Sequence, residues 1–354
     1  MSKAKRKWDA ATPGQQSGFT LLETLVSLII LLAVSGIVMT GMMQLMQTQG
    51  TIANRTEMHT SVRSATELLQ QEIGQAGMVS LPVNPATGLT IPLYMSTPVF
   101  VPVPDVPWTP PAGVFLSSAA GIPTTNGIFN GEQLVVDTGD NQETITVVCG
   151  NPCSNPIGAT FNYNHTGGAP GNPVTAQGAF ATGIVPPTVV NGSTGTVLKL
   201  YGDINGDGNM LYVEYTCDWQ NNNGFGPVLF RNEMPYDTPL KAAFPLNAGK
   251  ILLSNLDPLG NPNDQNGNPV PCFTYQTQIV LTKTGPDTFV TDVAVTLTEQ
   301  TQNLDPQTHQ FQKETKALLN VSPRNVFNAW ELANAELTNR VQPMPPSVTG
   351  LIGQ

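Results

Sequence analysis

Charged side chains are scarce in this chain: Lys, Arg, Asp and Glu make up 11% of its 354 residues, against roughly 25% in an average domain. The formal net charge of −10 argues against a general nucleic-acid binder. Four cysteines allow at most two disulfides, too few for a disulfide-built scaffold. The three histidines, His59, His165 and His309, lie far apart, and the chain lacks H-E-x-x-H, G-x-S-x-G and a phosphate-binding glycine loop. The sequence therefore predicts no enzyme.

The beginning of the chain differs from the rest. A basic cluster, Lys3, Lys5, Arg6 and Lys7, precedes residues 24–43, which carry no charge. As a helix, that run would span ~30 Å, the thickness of a bilayer core. Positive charge before the run predicts that the amino terminus stays in the cytoplasm and that the bulk of the chain is exported.

Two processing signals compete here. A secretory signal peptide would be cut after the apolar run, for example near Ala33-Val34-Ser35. The alternative is the sequence Gly18-Phe19-Thr20-Leu21-Leu22-Glu23, just before the run. It resembles the prepilin cleavage motif of type IV pilins and pseudopilins. A glycine before the cleaved bond has no side chain to clash, so the backbone can enter the tight active site of a peptidase. We favour the prepilin interpretation, which keeps the apolar segment in the mature protein.

The resemblance implies a role for each residue of the motif. A membrane-embedded peptidase cuts between Gly18 and Phe19 and methylates the new amino group of Phe19. Glu23 is an assembly residue that pairs with the amino terminus of a neighbouring subunit, because an unpaired acid at a membrane span is costly. The implied partners are the prepilin peptidase, other major and minor pilins, the inner-membrane assembly platform and membrane lipid. No nucleic acid is expected.

A long helix is predicted from Phe19 to Ala76, since no proline occurs between Phe19 and Leu81. Past the membrane span, apolar residues recur at helical spacing on one face: Met58, Val62, Ala65, Leu69, Ile73 and Ala76. Three glycines, Gly36, Gly41 and Gly50, weaken the middle by ~1 kcal/mol each. They are either tolerated packing positions or a stretch that loosens when subunits assemble.

Short strand-like runs between turn signals follow the helix. The candidates are 133–138, 143–149, 196–202, 211–219, 227–233, 250–255, 274–284, 288–301 and 310–321, with 285–287 as a hairpin turn and 151–182 as a loop. Asn328 and Glu331 suggest a capping box before a short helix. The predicted fold is α+β and pilin-like, a long helix packed on an antiparallel sheet domain with long loops.

The predicted organisation follows from these segments. Residues 1–18 are a removed leader, 19–77 the helix with a span at about 24–43, and 78–130 a Pro-rich connector. Residues 131–325 form the β-rich exported domain, and 326–354 a short helix and tail. The protein is expected in the inner membrane with its carboxyl-terminal domain in the periplasm, and then in a pilus at the cell surface.

A second, weaker resemblance concerns the run from Thr315 to Val326, which is similar to the last strand of large minor pilins called PilW-like. Together with the length, it favours a minor type IV pilin that primes or caps a pilus. Two alternatives stay open, a minor pseudopilin of type II secretion and a calcium-dependent adhesive module at a pilus tip.

One loop matches D-x-[DN]-x-[DN]-G-x5-E, the pattern of a calcium-binding loop. Its predicted ligands are Asp203, Asn205, Asp207, Asn209 and Glu214. Calcium prefers hard oxygen ligands such as these. The flanks resemble strands, so a plain hairpin turn is the alternative, because Asn-Gly and Asp-Gly are strong turn formers.

The four cysteines are expected to pair in an oxidising compartment. Of three connectivities we prefer Cys149–Cys153 with Cys217–Cys272. A zinc site of all four is the competing interpretation, but the usual two-residue spacing is absent.

The prepilin interpretation predicts the mature amino terminus. Mass spectrometry of the protein from its native membrane should find a chain of residues 19–354 that begins with N-methylated Phe19. A chain that begins at Gly36 would instead show signal-peptide cleavage.

Overall fold

A computed structural model describes residues 20–81, 93–100, 116–118, 127–168, 172–257, 260–282 and 285–354. The helices are α1 (Leu21–Gln75), α2 (Arg324–Asn334) and α3 (Pro346–Ile352). The strands are β1 (Leu93–Met95), β2 (Leu116–Ser118), β3 (Gln133–Val136), β4 (Glu143–Thr146), β5 (Pro173–Ala176), β6 (Ala179–Phe180), β7 (Val197–Gly202), β8 (Leu211–Asp218), β9 (Val228–Pro235), β10 (Ile251–Leu253), β11 (Phe273–Thr282), β12 (Gly285–Gln300), β13 (Lys313–Val321) and β14 (Val341–Gln342).

Helix α1 runs without interruption through Gly36, Gly41 and Gly50. Thr20 caps its amino end by accepting a hydrogen bond from the backbone N–H of Glu23 at 3.3 Å. At the other end Gly77 adopts φ +83°, a left-handed conformation that glycine tolerates and that ends helices. A β-carbon there would lie 2.9 Å from the Val326 side chain, so the turn also needs glycine for space.

Most strands belong to three antiparallel sheets. One sheet has the order β10-β9-β8-β7, a second has β11-β12-β13, and a third has β2-β1-β5-β3-β4. Strands β14 and β6 form a short parallel pair that ties the end of the chain to its middle. The predicted α+β class, a long helix packed with antiparallel sheets, is confirmed.

The second half of α1 supplies one side of the main core. The predicted apolar face is buried from Met58 to Ala76. It packs against the inward side chains of the first two sheets, which include Leu200, Val213 and Val293. The third sheet has a separate apolar core, built around Leu134, Phe161 and Val174.

Several local predictions differ from the structure. Strands β5 and β6 lie in the predicted loop 151–182. The predicted turn at 285–287 belongs to β12, because Gly285 pairs with Thr282 of β11. Asn328 lies inside α2, whose amino-terminal cap position is Pro323, so the predicted capping box is wrong.

A buried polar contact joins α1 to the four-stranded sheet. The Glu72 side chain is 4% exposed, and its carboxylate accepts hydrogen bonds from Arg231 Nε at 2.9 Å and from Tyr215 Oη at 2.5 Å. Arg231 Nη1 also lies 2.6 Å from Glu233 Oε2. Burial alone would lower the pKa of Arg231, but the hydrogen bond and charge of Glu72 outweigh it and raise the pKa.

Removing one partner of this pair should be far more harmful than removing both. Arg231→Met leaves the Glu72 charge buried and uncompensated, so we expect a loss of ~3–5 kcal/mol in the free energy of unfolding. The double variant Glu72→Met, Arg231→Met should recover most of that loss. Denaturant unfolding of the full chain in detergent measures each value.

The matched control is Arg63→Met. Arg63 and Glu67 form an equivalent pair on α1 at 2.7 Å, but their side chains are 77% and 63% exposed. Solvent screens such a pair, so its loss should hardly change the unfolding transition. Equal destabilisation by the two arginine substitutions would contradict a special role for the buried pair.

Candidate functional site

The first half of α1 is an apolar helix that the rest of the described chain leaves uncovered. Residues 21–49 are all exposed, and an 18-residue window within α1 has a mean hydropathy of 2.5. By length and composition this segment can cross a membrane. Its first turn carries Glu23.

Glu23 follows the helix cap by three residues, so its carboxylate lies at the positive end of the helix dipole, where a negative charge is favoured. From residue 24 to residue 54 the sequence contains no other charged side chain. Glu23 thus stands alone at the edge of an apolar segment, a position that suits a partner of opposite charge. The predicted processing residues Gly18 and Phe19 lie outside the described residues, and cleavage there stays a prediction.

The predicted calcium loop connects β7 and β8. Asp203 is 2% exposed, and its carboxylate accepts hydrogen bonds from the backbone N–H groups of Asp207 at 3.0 Å and Gly208 at 2.9 Å. Asp207 in turn accepts from the N–H of Asn209 at 2.9 Å. Asn205 and Asn209 are exposed. The loop is thus a turn that is already shaped by hydrogen bonds from its own backbone to the carboxylates of Asp203 and Asp207.

Glu214, the fifth predicted ligand, does not join this loop. It lies within β8 opposite Lys199, whereas the loop begins where Gly202 pairs with Leu211. Three residues of strand separate the two places by ~10 Å. The Glu214 carboxylate instead contacts Lys241 Nζ at 2.9 Å and Tyr212 Oη at 2.8 Å. Among the described residues no group of three or more His, Cys, Asp or Glu is placed to hold a metal ion.

Both preferred disulfides are present. Cys149 bonds to Cys153 across a tight turn, and Cys217 at the end of β8 bonds to Cys272 just before β11. The second bond closes a loop of 55 residues and links the two sheets that pack on α1. A zinc site of four cysteines is therefore not formed.

One polar cluster was not predicted from the sequence. His165 is 1% exposed, and its two ring nitrogens lie 2.8 Å from Glu143 Oε1 and 3.2 Å from Asp137 Oδ2. Asn172 Nδ2 contacts both Asp137 and His165. Burial would raise the pKa of Glu143, but hydrogen bonds from His165 and from the backbone of Asn162 and Tyr163 lower it.

This cluster joins three stretches of the third sheet that are distant in sequence. The Glu143 carboxylate holds Asn162 and Tyr163, while His165 exchanges two backbone hydrogen bonds of 2.9 Å with Val99. With its side chain fully buried, the histidine lies where a solute in water cannot reach it. The geometry suits a structural anchor, and no local sequence spacing could have revealed it.

The comparisons with known proteins give one family match. Residues 14–41 match the model of the prokaryotic N-terminal methylation motif. The match covers the predicted processing site and the first part of α1, and it supports a type IV pilin or pseudopilin. The motif implies processing by the prepilin peptidase and assembly with other pilins, and it points to a structural subunit. No match was found among curated proteins or among solved structures.

Calcium binding by the β7–β8 loop stays a prediction, now with Asp203, Asn205, Asp207 and Asn209 as the predicted ligands that belong to the loop itself. Calcium a hundredfold above its Kd would stabilise the full chain by ~2.7 kcal/mol over a chelator control. Asp207→Ala should abolish that difference, because it removes an exposed carboxylate from the loop. Glu214→Gln should preserve it. Thermal melting in detergent with and without calcium measures both.

Asp264→Ala is the matched control, since Asp264 shapes a similar exposed turn by accepting from the N–H groups of Asn266 and Asn268. It should leave the calcium response intact. If calcium does not change the melting temperature, the calcium prediction is wrong and the β7–β8 loop is a plain hairpin turn.

Proposed function

We propose that this chain is a minor type IV pilin, a structural subunit that primes or caps pilus assembly. The observation that carries the proposal is the position of the methylation motif. It matches at residues 14–41, where α1 begins, and the following apolar half of α1 is uncovered by the described domain. Such a helix needs lipid before assembly and the apolar helices of other subunits afterwards.

Size and build favour a minor over a major subunit. The chain has 354 residues, more than twice the usual length of a major pilin. The third sheet, with its own core, adds bulk that the helix-packed core does not require. The run from Thr315 to Val326, which is similar to PilW-like minor pilins, falls on β13 and the start of α2.

Charge and disulfides support the expected orientation. The basic cluster before the apolar run favours a cytoplasmic amino terminus and a periplasmic domain. Both cysteine pairs are bonded, which suits an oxidising compartment. We infer that the subunit is first anchored in the inner membrane, beside the assembly platform, and then enters a pilus at the cell surface.

Deletion of the gene tests the proposal. We expect loss or shortening of surface pili, restored by the intact chain. Normal pili with a failure of protein secretion would favour a pseudopilin instead. Normal pili that no longer attach to surfaces would favour an adhesive tip module.

The same complemented strain tests Glu23. Glu23→Ala removes the acid that would pair with the amino terminus of a neighbouring subunit, so the chain should be processed normally but enter sheared pili at least ~10-fold less, a loss of about 1.4 kcal/mol. Quantitative mass spectrometry of pili and membranes gives the ratio. Glu67→Ala, an exposed acid on the second half of the same helix, is the control and should assemble normally. Equal incorporation of the two variants would contradict an assembly role for Glu23.

A further inference from the structure

Helix α1 is attached to the domain in two different ways. From Val62 to Ala76 its inner face is buried in the main core and is mostly apolar, with Thr66 and Glu72 as its polar members. From Thr48 to Ser61 its polar contacts are made with one element, residues 299–314, which include the end of β12, the start of β13 and the connection between them. We call these residues the strap.

The strap follows the helix for about four turns. Gln307 Nε2 lies 3.5 Å from Thr48 Oγ1, and Arg55 Nε donates to Gln312 Oε1 at 2.9 Å. Pro306 covers Gly50, where a β-carbon would lie 3.4 Å from its ring. The connection itself is shaped by Asp305, whose carboxylate accepts from the N–H groups of Gln307 and Thr308. Most of the contacts that hold the helix here are polar, and Met58 is the one apolar side chain of this stretch that is buried.

The base of the strap concentrates negative charge. Glu299 on β12 and Glu314 on β13 are direct partners in the sheet register, an arrangement that is unfavourable for two like charges. Glu299 Oε2 accepts a hydrogen bond of 2.6 Å from Ser61 on the helix, and Glu314 contacts His59. Glu57 on the helix adds a third carboxylate, whose negative charge raises the pKa of Glu299.

Few positive groups balance these acids. Among the described residues, His59 contacts Glu314, and Lys316 lies two residues after Glu314 on the same face of β13. Lys313, the strap's own lysine, pairs with Asp257 instead. Arg55 donates to the neutral Gln312.

Burial is the main cause that raises the pKa of Glu299, the Ser61 hydrogen bond offsets part of the rise, and the charges of Glu57 and Glu314 add to it; together they bring the pKa to about 7. An acid with a raised pKa in the closed state favours that state when it is protonated. The benefit is complete below the ordinary pKa of glutamate and is lost as the pH rises to about 7.

We propose that the strap is a pH-sensitive clasp on the middle of α1, closed while Glu299 is protonated and open once Glu299 ionises beside Glu314 and Glu57. Opening frees the helix from Thr48 to Ser61 and leaves the apolar packing from Val62 to Ala76 in place. The middle of the helix then becomes free to change its direction or its neighbours without unfolding of the domain.

A distance measurement on the full chain in detergent tests the clasp. All four cysteines are disulfide-bonded, so nitroxide labels can be attached at Gln47→Cys on the helix and Asn303→Cys on the strap, both exposed positions. At about pH 5.5 we expect one short, narrow distance distribution, and at about pH 8.5 a longer, broader one, because the clasp opens as Glu299 ionises. A local distance is the right measurement, since Glu132 in the third sheet also has a pKa raised by burial, to about 8, and would affect global melting.

Three variants distinguish the mechanism. Glu299→Gln should keep the narrow distribution at both pH values. Glu57→Gln removes only one repelling charge from an exposed position, so it should reduce the long-distance population at high pH while leaving the fold intact. Glu67→Gln, outside the strap, should switch like the unchanged chain. A distribution that pH does not change, or one that still switches in Glu299→Gln, would overturn the proposal.

Discussion

Glu72 brings a carboxylate into the core near the carboxyl end of α1, where the helix dipole disfavours a negative charge. It is tolerated because Arg231 and Tyr215, on adjacent strands of the four-stranded sheet, both donate to it. The contact fixes the rotation of the helix. A shift of one residue would turn the helix by about 100° and replace Glu72 with Gln71 or Ile73. Because α1 is continuous, the same contact also sets which way the exposed apolar half and the strap-facing residues point.

Buried aspartates shape several of the loops that connect the strands. Asp203, Asp218 and Asp305 are each less than 5% exposed, and each accepts two backbone N–H groups from residues two to five positions later. Such turns satisfy backbone donors that no strand reaches. This explains how these three connections keep a defined conformation in a chain with 33 glycines and 31 prolines. It also gives Asp203 a structural reason to be present, independent of any cation.

The parts of the fold that a local pattern encodes could be predicted. The apolar spacing from Met58 to Ala76 identifies the buried face of α1, because a helix repeats its faces every few residues. Strands β5 and β6 could not be predicted, since they lie among glycines and prolines and are held by partners from β1, β3 and β14. The helix α2 begins after Pro323. Asn328 is a residue type that often caps a helix, but it lies inside α2 and not at its start. Pairing with distant strands places β5 and β6, and the spacing of residues along the chain does not reveal such pairing.

In the candidate functional site too, contiguous motifs could be predicted from the sequence, and contacts between distant residues could not. Glu23 and the residues before it form a contiguous motif that the family model matches along the sequence, so sequence alone is informative there. The calcium pattern is also contiguous, but its twelfth position assumes that the chain after the loop returns as a helix. Here it continues as β8, which advances about 3.3 Å per residue and carries Glu214 away to Lys199 and Lys241. The acids that do cluster are Glu299 and Glu314, on the neighbouring strands β12 and β13, and Glu57 on α1, which lies more than two hundred residues earlier in the sequence. Their proximity is a product of the register of β12 with β13 and of the helix rotation that Glu72 fixes, so only the folded chain brings their charges together.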